Sequence, residues 1–260
     1  MSDQGQPASA DSGRRAEVAA ALTAVRERVR AACVAAGRDP AEVDLLAVTK
    51  TFPAADVAIL ADLGLTEFGE NRDAEAVGKV AELAAARPDL PARWQMVGRL
   101  QRNKARSVAR WASQVQSLDS ERLAVALDRA TEHALAEGER AEPLDVLIQV
   151  RLDDDPGRGG CPVDDVPRLS ELVATSPALR LRGVMAVAPL NQSPAPAFEQ
   201  LSIVANRLRG DHPEAIVVSA GMSGDLEVAI GWGSTCVRVG TALLGTRQLA
   251  SQAVAEEGPP

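Results

Sequence analysis

At 260 residues with 46% hydrophobic residues, the chain is long enough to bury a sizeable core, and α/β barrels of this size are often one domain. A formal charge of -8 and a pI near 5.0 argue against a nucleic-acid binder, since that role needs a concentrated cationic face. Aromatic residues make up 2% and tyrosine is absent, so the core has to be built from Ala, Val and Leu.

Met1 to Gly13, rich in Ser, Gln, Gly, Asp and Pro, reads as a flexible tail without the apolar core of a signal peptide. From Arg14 to Gly37, Val18, Leu22, Val25, Val29 and Cys33 recur every three or four positions, which predicts an amphipathic helix that Gly37 ends. Residues 43–49 form a short apolar run that delivers Lys50 to its carboxyl end before Pro53 stops it, the pattern of a buried strand. Further strands are predicted at 65–68, 94–98, 115–118, 144–150, 181–187, 215–219 and 236–239. Helices alternate with them at 54–63, through about 85 after Gly69-Glu70-Asn71-Arg72 at the strand end, and at 100–111. The remaining ones fall at 121–136 behind a Ser120 cap, then at 163–175, 195–209, 225–231 and 242–250.

Eight strands, each followed by a helix, predict a single-domain (β/α)8 TIM barrel with an extra N-terminal helix, spanning 14–250 between tails at 1–13 and 251–260. No G-x-G-x-x-G follows the first strand, so a dinucleotide-binding open sheet has no support. No run approaches a membrane span. Cys33, Cys161 and Cys236 are odd in number and lack metal-ligand spacing, as suits reduced thiols in a cytoplasmic protein. His133 and His212 have no partners at catalytic or zinc spacing, and Asp153-Asp154-Asp155 reads as solvated rather than ligating, so no metal is expected.

Three stretches could carry chemistry. A lysine at the carboxyl end of a parallel strand lies where ligands gather, and a partly desolvated Lys50 amine could condense with an aldehyde, although a solvated charge is the commoner use of such a residue. Ser219-Ala220-Gly221-Met222-Ser223-Gly224-Asp225 runs from a strand through small residues into a helix start, where free amides attract anions; an ordinary β-to-α turn explains it equally. Arg238 alternates with Val237 and Val239, so it points into the barrel. Gly240-Thr241 follows it at the usual phosphate position of barrel enzymes. A buried arginine needs a partner, either a cofactor atom or an internal carboxylate. The basic run Gly98-Arg99-Leu100-Gln101-Arg102-Asn103-Lys104 could meet an anion or simply be a solvated helix start.

Together, Ala47-Val48-Thr49-Lys50-Thr51, Phe68-Gly69-Glu70-Asn71, Val97 to Lys104, Arg182-Gly183-Val184-Met185-Ala186, Ser219 to Asp225 and Gly233 to Thr241 resemble the pyridoxal phosphate homeostasis proteins (YggS/PROSC-like). These are single-domain relatives of the alanine racemase barrel, and the resemblance runs in order from about Leu45 to Gly245. It implies a pyridoxal 5'-phosphate (PLP) carrier and regulator without established turnover. By the same resemblance Lys50 would hold the cofactor as an aldimine (Schiff base) and Arg238 would face the pyridine nitrogen. Ser219, Gly240 and Thr241 would hold the phosphate, Gly221, Met222 and Ser223 would shape its loop, and Asn71 would lie near the ring. The sequence departs from the family pattern at Gln95, where histidine is usual, at Arg99, and in Asp155 to Cys161, which replaces a Ser/Lys-containing loop.

The rival is a PLP-dependent amino-acid racemase or decarboxylase on the same barrel, and a third class would bind another phosphorylated aldehyde. Barrel racemases of this kind use a tyrosine as second base together with a separate β domain. The chain has no tyrosine and ends soon after its last predicted helix, which favours the carrier. PLP and apo PLP-dependent enzymes are the partners the resemblance implies, with neither nucleic acid nor membrane. The expected state is a monomer or weak homodimer.

Overall fold

The computed structural model describes residues 7–153, 159–189 and 192–246. Eight parallel strands close a barrel in simple chain order, from β1 to β8 and back to β1. They are β1 (Asp44–Val48), β2 (Glu67–Glu70), β3 (Arg93–Met96), β4 (Gln114–Leu118), β5 (Leu144–Gln149), β6 (Leu179–Met185), β7 (Val217–Ser219) and β8 (Cys236–Val239). Around them lie α1 (Pro7–Ala35), α2 (Ala54–Asp62), α3 (Asp73–Ala86), α4 (Ala105–Trp111), α5 (Glu121–Ala136), α6 (Val166–Ala174), α7 (Ala195–Asp211), α8 (Leu226–Gly231) and α9 (Thr241–Leu244). The predicted barrel with its extra N-terminal helix is what the chain forms.

Boundaries differ in instructive ways. Helix α1 begins at Pro7, inside the 1–13 stretch that composition assigns to a tail, and 247–260, with the expected 251–260 tail, lie outside the described residues. Strand β2 extends through Gly69 and Glu70, past the expected limit at Phe68, because their backbones pair with Gln95 and Met96 of β3. Ser120 precedes α5 without capping it, since its hydroxyl donates to Asp119 instead. The loop at 154–158 is outside the described residues, and with it most of the family-divergent segment and Arg158.

Two layers of packing follow from the alternation of side chains. Outward residues such as Phe68, Trp94, Val237 and Val239 pack under the helices, and the α1 stripe Val18, Leu22, Val25, Val29 and Cys33 joins the same cluster. Aliphatic burial of this kind contributes about 25 cal/mol per Å² removed from water. Arg14 fixes α1 to α2 through Asp56 at 3.0 Å, and Arg28 donates to Glu227 and to the Ser223 carbonyl at 2.9 Å. The inner face is unusual for a barrel, where branched aliphatics normally fill the layers. Here it carries Gln95, Gln116, Ser219 and Arg238, all buried. All three cysteines are buried and free; burial pushes the Cys161 thiol up to about 12 and that of Cys236 to about 11.

Among the described residues no helix is long and apolar enough to cross a membrane, and no cluster of His, Cys, Asp or Glu could hold a metal.

Candidate functional site

The carboxyl ends of β1, β2, β6 and β8 open onto a cavity of about 1170 Å³. Lys50, Asn71, Met222, Ser223, Arg238, Gly240 and Thr241 all line it, so most of the residues singled out from sequence converge although they lie up to 191 positions apart. Ser219 and Gly221 do not. Ser219 is 0% exposed and sits beneath the cavity inside the barrel. Gly221 turns the chain there with φ at 91°; a Cβ on it would come within 2.7 Å of Ala229 Cβ, so packing demands its small size.

Lys50 lies two residues past β1, in the turn before Pro53, and its side chain is exposed at the cavity rim rather than desolvated. The buried lysine is Lys79 of α3, which the sequence reading passed over. Its ammonium donates to Glu70 Oε1 at 2.6 Å, to the Thr49 carbonyl at 2.8 Å and to Glu75 Oε1 at 3.0 Å. The Thr49 hydroxyl donates to the same Glu70 oxygen at 2.6 Å, and Glu75 Oε1 accepts from the Thr51 amide. Lys50 is thus held from both sides. The hold is needed, because Thr51 adopts φ of 67°, a left-handed conformation that a β-branched residue enters only at a cost. Burial raises the Glu70 carboxyl above its ordinary value, with the Lys79 and Thr49 hydrogen bonds opposing the shift.

Along the same cavity, the turns after β7 and β8 supply backbone donors. Ser223, Gly224, Gly240 and Thr241 line the cavity, and their amides make no hydrogen bond to the described residues. Two of them belong to the turn after β7 and two to the turn after β8. Such clustered free amides favour an anion. Ser223 Oγ accepts from the Ala242 amide at 3.3 Å, which ties the two turns together. Gly224, quoted in the loop but given no role from sequence, joins the site through its backbone, a contribution that side-chain chemistry does not announce.

Arg238 rises from β8 into the cavity floor and is 5% exposed. Its guanidinium donates to the Ser219 carbonyl at 2.8 Å, the Ser219 hydroxyl at 2.6 Å and the Ala186 carbonyl at 2.7 Å. None of these partners is a carboxylate, so the internal salt bridge weighed from sequence is not what holds it. Desolvation lowers its pKa from the ordinary arginine value. From Ser219 the hydrogen bonds continue across the barrel. The Ser219 hydroxyl donates to Gln116 Oε1 at 2.7 Å, Gln116 Nε2 to Gln95 Oε1 at 2.6 Å, and Gln95 Nε2 to Glu67 Oε2 at 2.7 Å. Arg93 pairs with Glu67 at the far end. A carboxylate can only accept and a guanidinium can only donate, so the direction of every link between them is determined. The aligned dipoles connect the buried cation to a carboxylate four residues away along the chain of bonds. Gln95, which replaces the family's usual histidine, is the link that faces Glu67.

Comparison with known proteins accords with this geometry. A family model described as the alanine racemase N-terminal domain matches residues 21–248. The chain is 52% identical over 249 residues to the pyridoxal phosphate homeostasis protein of Mycobacterium tuberculosis (strain H37Rv), covering 92% of this chain and 96% of that one. Among solved structures, an unknown protein from Bifidobacterium adolescentis superposes with a TM-score of 0.81 at 27% identity, covering 94% of this chain and 97% of that chain. PipY of Synechococcus elongatus with PLP bound gives a TM-score of 0.72 at 32% identity, covering 88% of this chain and 100% of that chain.

Proposed function

Since the chain belongs to the pyridoxal phosphate homeostasis proteins, a family on the alanine racemase N-terminal domain, we propose that it binds PLP at the barrel mouth and takes part in PLP homeostasis as a carrier without catalytic turnover. The observation that carries the reading is that Ser223, Gly224, Gly240 and Thr241, whose amides have no partner among the described residues, line the same cavity as Lys50. An aldehyde bearing a phosphate matches both the amine and the free amides of that cavity. PLP, when bound, supplies the aldehyde and a ring that can delocalise charge.

Each residue then has a task. The Lys50 amine would hold the cofactor through its aldehyde, and the backbone amides of Gly240, Thr241, Ser223 and Gly224 would hold its phosphate. Met222 covers one side of the cavity and Asn71 lies beside the ring. Arg238 would face the pyridine nitrogen. As a donor with no proton-accepting atom, it leaves that nitrogen unprotonated, where a carboxylate would stabilise the protonated ring and a strong electron sink. Ser219 serves by fixing Arg238 rather than by touching the phosphate. The absence of tyrosine removes the second base of the two-base racemase, so the site is equipped to hold the cofactor more than to use it. Apo PLP-dependent enzymes are the recipients this role implies.

Absorption spectra of the full chain with PLP, before and after borohydride, test the reading. The wild type is expected to show a cofactor band that reduction bleaches, with one cofactor fixed in the Lys50 peptide. Lys50→Ala is expected to fix none, because Lys79 is held by two carboxylates. A wild type that takes up no PLP would sink the carrier, and brisk racemisation of an amino acid would sink the claim of no turnover.

The chain of amides and hydroxyls behind Arg238 has its own readout. Gln116→Leu leaves the Ser219 hydroxyl without an acceptor and the Gln95 carbonyl without a donor, at a cost of about 1–3 kcal/mol for each buried group left unpaired. Urea unfolding is expected to register that loss, and the cofactor band to shift as Arg238 loses its fixed position. An unmoved band with unchanged stability would mean that the chain of bonds supports nothing.

A further inference from the structure

A second cavity, of about 1050 Å³, lies beside the barrel mouth and shares Asn71 with the first. Three consecutive loops, after β2, β3 and β4, form its walls. Arg72, Arg99, Arg102, Lys104 and Arg122 line it, against two carboxylates, Asp73 and Asp119, in a chain whose overall charge is -8. This is where the basic run noted in the sequence comes to lie.

The pairing within the cavity is one-sided. Asp73 accepts from Trp111 Nε1 at 3.0 Å and lies 3.8 Å from Lys104 Nζ, and Asp119 accepts from the Ser120 hydroxyl at 3.0 Å. Among the described residues the guanidiniums of Arg72, Arg99, Arg102 and Arg122 make no hydrogen bond or ion pair, whereas most other arginines of the chain, such as Arg14, Arg28, Arg87 and Arg180, are engaged. The acids have partners, while the four exposed guanidiniums have none among the described residues. Two long helices, α3 and α5, also begin at this wall, and Ser120 leaves the first turn of α5 without a side-chain cap.

We propose that this cavity is a second binding site, distinct from the cofactor cavity, for a small molecule carrying two or more phosphate groups. Arginine is the side chain suited to bidentate contact with phosphate oxygens, and four of them spread around a concave wall exceed what one phosphate can engage. The volume is that of a small-molecule pocket, commonly about 300–1,000 Å³. A protein partner would meet a flatter face, of roughly 800 Å² on each side. Because Asn71 borders both cavities, occupancy of one is felt at the other.

Inorganic pyrophosphate is the probe, titrated by calorimetry into the full chain at low ionic strength, with and without saturating PLP. The wild type is expected to bind one equivalent in both conditions. Arg99→Gln/Arg102→Gln/Arg122→Gln is expected to weaken this binding at least tenfold while leaving PLP uptake in place. Failure of the PLP reading does not disturb this comparison, since the triple variant is judged on pyrophosphate alone. Heat that PLP abolishes and the triple variant keeps would assign pyrophosphate to the cofactor cradle and overturn the proposal. No saturable heat in the wild type would overturn it too, including the case in which only an acidic polypeptide such as polyglutamate binds. Circular dichroism checks that the variant folds; if it does not, Arg122→Gln alone and the fall of wild-type affinity with salt carry the same decision.

Discussion

Lys79→Met is expected to lower folding stability by about 3–5 kcal/mol, because it strips a buried carboxylate of its cation. The Lys79 and Glu70 side chains are 5% and 0% exposed, and their 2.6 Å contact is the only ion pair Glu70 makes among the described residues. Removing both charges is a different matter: Lys79→Met/Glu70→Gln keeps an acceptor for the Thr49 hydroxyl and is expected to recover most of the loss. The pH dependence has a definite sign. Glu70 is held above its ordinary value of 4.5, chiefly by desolvation, so its contribution to stability is full below 4.5 and is lost as pH rises through its folded value. Lys79 opposes that shift, so taking it away pushes Glu70 higher still. The penalty of Lys79→Met should therefore be greatest near neutral pH and shrink as the solution is acidified toward 4.5. Urea unfolding at several pH values measures this. A penalty independent of pH would show that the pair is not what Lys79 provides. In the folded fraction PLP uptake should also weaken, since Lys79 and Glu75 hold the backbone on both sides of Lys50.

Gly98→Ala is expected to cost less stability but to strike the site directly. A Cβ at Gly98 would lie 2.1 Å from Asn71 Oδ1 and 2.2 Å from the Asn71 carbonyl oxygen. The side chain could move aside, but the backbone oxygen cannot without spreading the loops after β2 and β3. Overpacking of this kind costs about 1–3 kcal/mol. Both cavities border Asn71, so PLP uptake and pyrophosphate binding should fall together. Gly210→Ala is the contrast. A Cβ there meets nothing within 4 Å, in the last turn of α7, so a small gain of at most about 0.5–1 kcal/mol is expected. Thermal unfolding of the two variants side by side decides whether space or glycine content matters.

What could be read from the sequence, and what could not, divides along the range of the interactions involved. Apolar runs of four to seven residues alternating with 3.6-period stripes are local patterns, and they determined eight strands, their helices and the closed barrel. The motif residues at strand ends were legible for the same reason: parallel barrels gather their carboxyl ends, so Lys50, Asn71, Arg238, Gly240 and Thr241 had to meet. Strand limits were less legible, as at β2, where pairing with β3 rather than local propensity carries the strand through Gly69 and Glu70.

Only the tertiary structure decided which side chains hold the site together. Lys79 looked like one more helix charge until α3 packed it against Glu70, and Ser219 looked like a phosphate ligand until β7 turned its hydroxyl inward to Arg238 and Gln116. The line of bonds from Arg238 to Glu67 joins residues 171 positions apart, and no periodicity records such a contact. Local sequence determines where a backbone goes because each residue's conformation depends on its neighbours. A buried charge is assigned its partner by the whole barrel, since that partner is whatever the closed sheet leaves within about 3 Å of it.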